Sequence, residues 1–105
     1  MSPQDVSFEK PIFSATVVAD VVGIHPRTLR IYEEQGLVEP GRGPGNEKLY
    51  SQRDIQRIRV IRALTQGLGV ELTAVRVILG ILDELENHGL SSEEILKNVM
   101  DKLKP

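Results

Sequence analysis

Gly23, Pro26 and Gly36 limit how this 105-residue chain can fold more than any other residues. They fence off two short segments. The first, SATVVADVV at residues 14–22, carries Val17, Val18, Val21 and Val22. These doublets repeat every four residues rather than every two, which selects a helix over the strand that valines otherwise favour. Ser14 or Thr16 is placed to cap it, and Gly23 ends it. Pro26 then suits the first turn of a second helix, where its missing N–H costs nothing. That helix runs to about Gln35, with Gly36 as its C-terminal break. Two short helices joined by a tight glycine-containing turn make a helix-turn-helix.

The second helix poses an electrostatic question. Leu29 should face inward, but Arg27, Thr28, Arg30 and Tyr32 cannot all do so. Arg27 and Arg30 stand one turn apart at the end where the helix macrodipole is positive, and they oppose it. Packing does not call for them; a negative surface outside the protein does. The formal net charge of −2 argues against a nucleic-acid partner, but its distribution argues for one. Residues 24–62 hold Arg27, Arg30, Arg42, Lys48, Arg53, Arg57, Arg59 and Arg62 against only Glu33, Glu34, Glu39, Glu47 and Asp54. A mildly basic centre therefore lies between acidic ends, and the local field decides what a polyanion meets.

After the second helix, GLVEPGRGPGNEKLYS at residues 36–51 is too rich in Gly and Pro for a helix and too short for a domain linker. Leu37-Val38 and Lys48-Leu49-Tyr50 are expected to pair as a hairpin around it, a basic wing beside the helix-turn-helix. Ser51 and Asp54 form a capping box for a third helix with the stripe Ile55, Ile58, Ile61, Leu64 and Leu68, broken by Gly67-Leu68-Gly69. Leu72, Val75, Ile78, Leu79, Leu82 and Leu85 mark a fourth. Val77 and Ile81 lie off that stripe, so this helix is apolar on more than one face and needs a partner. After His88-Gly89-Leu90, a capping box of Ser91 and Glu94 opens a last helix with Ile95, Leu96, Val99, Met100 and Leu103 on one face. A helix this short must dock on something. Val77, Ile81, Leu85, Ile95, Leu96, Val99, Met100 and Leu103 are therefore the expected dimer or partner surface. The expected organisation is a polar, flexible leader over 1–12, the winged domain over 13–88 and the amphipathic C-terminal helix over 89–105.

From Phe13 to about Leu85 these residues resemble the DNA-binding part of the MerR family of bacterial transcription regulators. The resemblance rests on Gly23-Ile24, Thr28-Leu29-Arg30-Ile31-Tyr32-Glu33, Gly36-Leu37, Arg42, Lys48-Leu49-Tyr50-Ser51 and Asp54-Ile55, in that order and at the family's spacing. Within the family, His25 to Arg30 and Gly69-Val70-Glu71-Leu72 are most similar to heat-shock repressors of the HspR type. Ile31 replaces a usual aromatic, and Lys48 stands where Arg is common, leaving a point charge in place of a bidentate fork. The resemblance implies an all-α fold with a small β-hairpin wing: a winged helix-turn-helix.

In such a fold the second helix enters the major groove with its N-terminal residues at the base edges. His25, Arg27 and Thr28 occupy that end, and Arg27 suits guanine O6 and N7. Arg30 and Tyr32 are expected at phosphates, although Tyr32 also suits a core ring. Arg42, Lys48 and Tyr50 on the wing, and Arg53 and Arg57 on the next helix, complete the expected DNA-binding set. The implied function is a dimeric repressor of chaperone genes on an inverted-repeat operator of double-stranded DNA, in the bacterial cytoplasm at the nucleoid, with an Hsp70-type chaperone as co-repressor.

Other classes fit less well. There is no cysteine, so disulfides and thiolate metal sites are excluded. His25 and His88 are far apart, no nucleophile triad is evident, and Gly41-Arg42-Gly43-Pro44-Gly45 lacks the Lys-Ser/Thr of a P-loop. No enzyme activity, metal or cofactor is expected. No apolar run approaches a membrane span. A helical protein-interaction module remains an alternative, since fold does not fix function. An excisionase-like architectural DNA binder is another, disfavoured by the extended helical C-terminal part.

Overall fold

The computed structural model describes residues 8–104. In chain order it contains β1 (Phe13–Ser14), α1 (Ala15–Val22), α2 (Pro26–Glu34), β2 (Gly41–Arg42), β3 (Lys48–Tyr50), α3 (Gln52–Arg62), α4 (Leu72–Asn87) and α5 (Ser92–Leu103). A π-helical turn, Ala63–Gly67, continues α3. One unit ends at Val70 and a second begins at Glu71.

Local chemistry sets the helix ends. The Ser14 hydroxyl accepts from the Val17 N–H, and Gly23 closes α1 in the left-handed region at φ 81°. A residue with a Cβ is strained there. Pro26 opens α2, as its fixed φ favours. Ser51 and Asp54 make both bonds of the capping box on α3. On α5 the hydroxyl half is made: Ser91 accepts from the Glu94 N–H.

The core of the first unit follows the helical stripes. Val18 and Val22 of α1, Leu29 and Tyr32 of α2, and Ile55, Ile58 and Ile61 of α3 are all buried. Leu68 departs from its expected stripe and is 45% exposed. The π-turn just before it inserts an extra residue per turn and rotates Leu68 away from the face that Ile58 and Ile61 share.

The sheet differs from the expected hairpin. Leu37 and Val38 are core residues, not a strand: they are 1% and 4% exposed. The Leu37 N–H is spent closing α2 onto the Tyr32 carbonyl. The partner of β3 is instead β2, in register Gly41↔Leu49 and Arg42↔Lys48. On its other edge β3 pairs with β1, Phe13↔Tyr50 and Ser14↔Leu49, giving the antiparallel order β1-β3-β2. Residues 1–7 of the expected leader lie outside the described residues. From Glu9 onward that stretch is tied down. Glu9 pairs with Arg53 at 3.2 Å, and the Ile12 N–H donates to the Tyr50 carbonyl.

In the second unit, α4 buries Val75 and Leu79, and α5 packs against α4 without fully burying any residue. The two compact units divide between Val70 and Glu71. The Val70 N–H returns to the Leu64 carbonyl and closes the first unit, while α4 keeps company with α5. No described helix is long and apolar enough to cross a membrane.

Candidate nucleic-acid interface

At about 100° per residue, the nine residues of α2 divide into two faces. Leu29 and Tyr32 are buried, with Thr28 and Glu33 half-buried at the flanks. Arg27, Arg30, Ile31 and Glu34 share the opposite, exposed face. The two arginines that the sequence singles out therefore lie on one side, one turn apart.

The start of α2 is electropositive. Its first turn holds no acidic residue, so the partial positive charge of the macrodipole adds to Arg27 uncompensated. His25 is the N-cap: its Nδ1 accepts the Arg27 N–H at 3.0 Å. The cap uses the ring nitrogen in its unprotonated form, which leaves the proton of a neutral ring on Nε2. Neither Arg27 nor Arg30 has a hydrogen-bond or ion-pair partner for its side chain among the described residues.

The other cations of the expected set are engaged. Arg42 Nη1 donates to the Asn46 carbonyl at 3.1 Å across the wing turn. Lys48 Nζ meets Glu33 Oε2 at 2.6 Å. Arg53 bridges to Glu9. Arg57 Nε donates to the Leu37 carbonyl at 2.7 Å and is half-buried. Arg57 is thus a strut under the chain leaving α2, which a count of charges along the sequence does not reveal.

One expected contact is corrected. Tyr50 is 0% exposed and has no atom to present to DNA; it fills the core beside β1. Its hydroxyl has no hydrogen-bond partner among the described residues. Tyr32 is 3% exposed, so its ring is a core ring, one of the two compatible readings open to it. Its hydroxyl lies 3.5 Å from Thr65 Oγ1, in the π-turn. The spacing of the sequence placed both tyrosines beside cations but did not show which way they point.

The wing is held by backbone geometry. Asn46 takes φ 63°, its N–H bonds the Gly43 carbonyl, and the Gly43 N–H bonds the Glu47 carbonyl. A Cβ at Gly43 would collide with the Glu47 carboxylate and Leu49. The register sets Arg42 directly opposite Lys48, so one face of the wing carries two like charges. Among the described residues no group of three or more His, Cys, Asp or Glu could hold a metal ion.

A family model for the MerR helix-turn-helix regulatory proteins matches residues 13–82. The chain belongs to the MerR family. Among MerR-type relatives, a Streptomyces coelicolor protein assigned as heat shock protein HspR is 37% identical over 82% of this chain and 54% of its own length. The regulator GlnR of Bacillus anthracis is 28% identical over 85% of this chain and 67% of its own. ZntR of Escherichia coli K12 is 36% identical over 68% of this chain and 50% of its own. The chain thus spans about half the length of HspR and of ZntR. Among solved structures, HiNmlR, a MerR family regulator lacking the sensor domain and bound to promoter DNA, superposes with TM-score 0.61. The match covers 87% of this chain and 74% of that one at 19% identity, and it supports the winged helix-turn-helix fold.

Proposed function

We propose that this MerR-family chain binds double-stranded DNA as a symmetric dimer and represses heat-shock or chaperone genes. The observation that carries the DNA reading is the exposed face of α2. Two arginines without side-chain partners among the described residues stand near a helix start with no acidic residue in its first turn, on the helix that enters the major groove in a helix-turn-helix. Arg27, with His25 and Thr28 beside it, is placed at the base edges; Arg30 and Arg42 supply phosphate contacts. A bidentate Arg27–guanine pair is worth roughly 1–3 kcal/mol against a wrong base. The macrodipole that Arg27 opposes in the free protein favours the phosphates it meets on DNA.

The dimer reading rests on apolar exposure. Val77 and Ile81 of α4 are 60% and 56% exposed, and Val99 and Leu103 of α5 are 47% and 60% exposed. A single helix-turn-helix unit buries little DNA-facing area, so two copies on half-sites one helical turn apart, roughly 10 base pairs, are expected. The similarity to HspR supports heat-shock genes as targets and an Hsp70-type chaperone as co-repressor. Selection of bound duplexes from a random pool tests the reading. An inverted repeat should emerge, occupied by two copies of the chain. A pool with no enriched sequence, or one copy per site, would refute it.

A further inference from the structure

The outer part of the wing has little of its own to hold it in place. Strand β3 is anchored on one edge by β1 and through buried Tyr50, but β2 is two residues long and pairs with β3 alone among the described strands. Its register also sets Arg42 against Lys48, which repel. No regular structure joins α2 to β2. Two side-chain struts tie this segment down. Arg57 Nε holds the Leu37 carbonyl at 2.7 Å, and Lys48 Nζ holds Glu33 Oε2 at 2.6 Å. The Glu33 side chain is only 11% exposed, on the flank of α2 between its buried and solvent faces.

We propose that Lys48 is a positioning residue that clamps the wing to the recognition helix through Glu33, and is not one of the phosphate contacts. The inference rests on the DNA-binding reading above. The pair fixes the distance between the arginine face of α2 and Arg42 on the wing. The major-groove and backbone contacts then meet one duplex in one register. Glu33 neutralises Lys48 and relieves its repulsion with Arg42, which leaves Arg42 as the wing cation without an ion-pair partner among the described residues.

This assignment reverses two expectations for a lysine on phosphate. If Lys48 bound a phosphate, Lys48→Ala would lower the slope of log affinity against log salt by about one counterion. A clamp leaves that slope unchanged while affinity falls, by about tenfold. Glu33→Gln is the sharper variant. Deleting a carboxylate near a polyanion ordinarily raises affinity; deleting half of a clamp lowers it. The experiment titrates operator duplex at several salt concentrations with Lys48→Ala, Glu33→Gln, the double variant and the charge swap Lys48→Glu/Glu33→Lys. Circular dichroism checks that each is folded, and Lys48→Arg serves as the conservative variant that keeps the bridge. The clamp predicts similar losses for the two single variants, no further loss in the double, an unchanged slope throughout, and recovery in the charge swap and in Lys48→Arg. A shallower slope for Lys48→Ala, or tighter binding by Glu33→Gln, overturns it. Amide exchange of residues 41–50 in the free protein decides the clamp without DNA. Exchange should quicken about tenfold in both single variants and not in Arg30→Ala, which removes a cation that holds nothing in the wing; equal exchange in all would refute it. Failure of the wild type to bind any duplex would instead sink the regulator reading.

Discussion

The unit that ends at Val70 and the unit that begins at Glu71 bury their apolar side chains on different terms. In the first, each helix turns one stripe inward, and Val18, Leu29, Ile58 and Ile61 are 2% exposed or less. In the second, α4 buries Val75 and Leu79 while Val77 and Ile81 stand in solvent, and α5 buries nothing completely. The first unit has closed its core. The second fully buries just Val75 and Leu79 among its described residues; apolar exposure itself is common to both units, with Val17, Val21 and Ile31 open in the first. Polar function follows the same division. The first unit can leave Arg27 and Arg30 without partners among the described residues because its core does not depend on them.

The comparison breaks most readily at Ile58. Ile58→Ala should cost about 2–5 kcal/mol of stability, read by denaturant unfolding, because a closed core cannot relax into the cavity. A loss under about 1 kcal/mol would mean the first unit is looser than its burial implies. Ser51→Ala removes the hydroxyl half of the α3 cap and should cost about 1 kcal/mol in the same unfolding measurement. Tyr50→Phe sharpens the assignment of Tyr50 to the core. It removes a buried hydroxyl that has no partner among the described residues, so stability should hold or rise by up to about 1 kcal/mol, with DNA affinity unchanged. A loss of affinity would return Tyr50 to the interface. Ile81→Ala should be the mildest, within about 0.5 kcal/mol for a dilute monomer. At higher concentration it should raise the dimer dissociation constant in sedimentation. If it destabilises the dilute protein as much as Ile58→Ala does, the second unit is closed after all.

Much of this was legible in the sequence, where each feature depends on neighbours a few residues away. Breakers at Gly23, Pro26 and Gly36 delimit α1 and α2, the Ser51/Asp54 box starts α3, and Val77 and Ile81 fall off the α4 stripe as their spacing requires. What escaped depends on partners distant along the chain. β1 pairs with β3 across the length of α1 and α2, and a two-residue strand has no periodicity to detect. The π-turn moved Leu68 off its stripe, and Leu37 and Val38 read as a strand because buried β-formers in a glycine-rich stretch look alike whether or not they make a ladder. Within the candidate interface, the arginine face of α2 was legible from its own helix. The directions of Tyr32, Tyr50 and Arg57 were not, because the core and the Leu37 carbonyl decide them.

The most direct test of the account is to measure Arg27→Ala on selected operator and on random duplex of equal length, across salt. If the exposed face of α2 reads base edges, the variant should lose roughly 1–3 kcal/mol on operator and far less on random DNA, narrowing the ratio between them. Equal losses on both duplexes would contradict a base-reading role for Arg27, and with it the central claim.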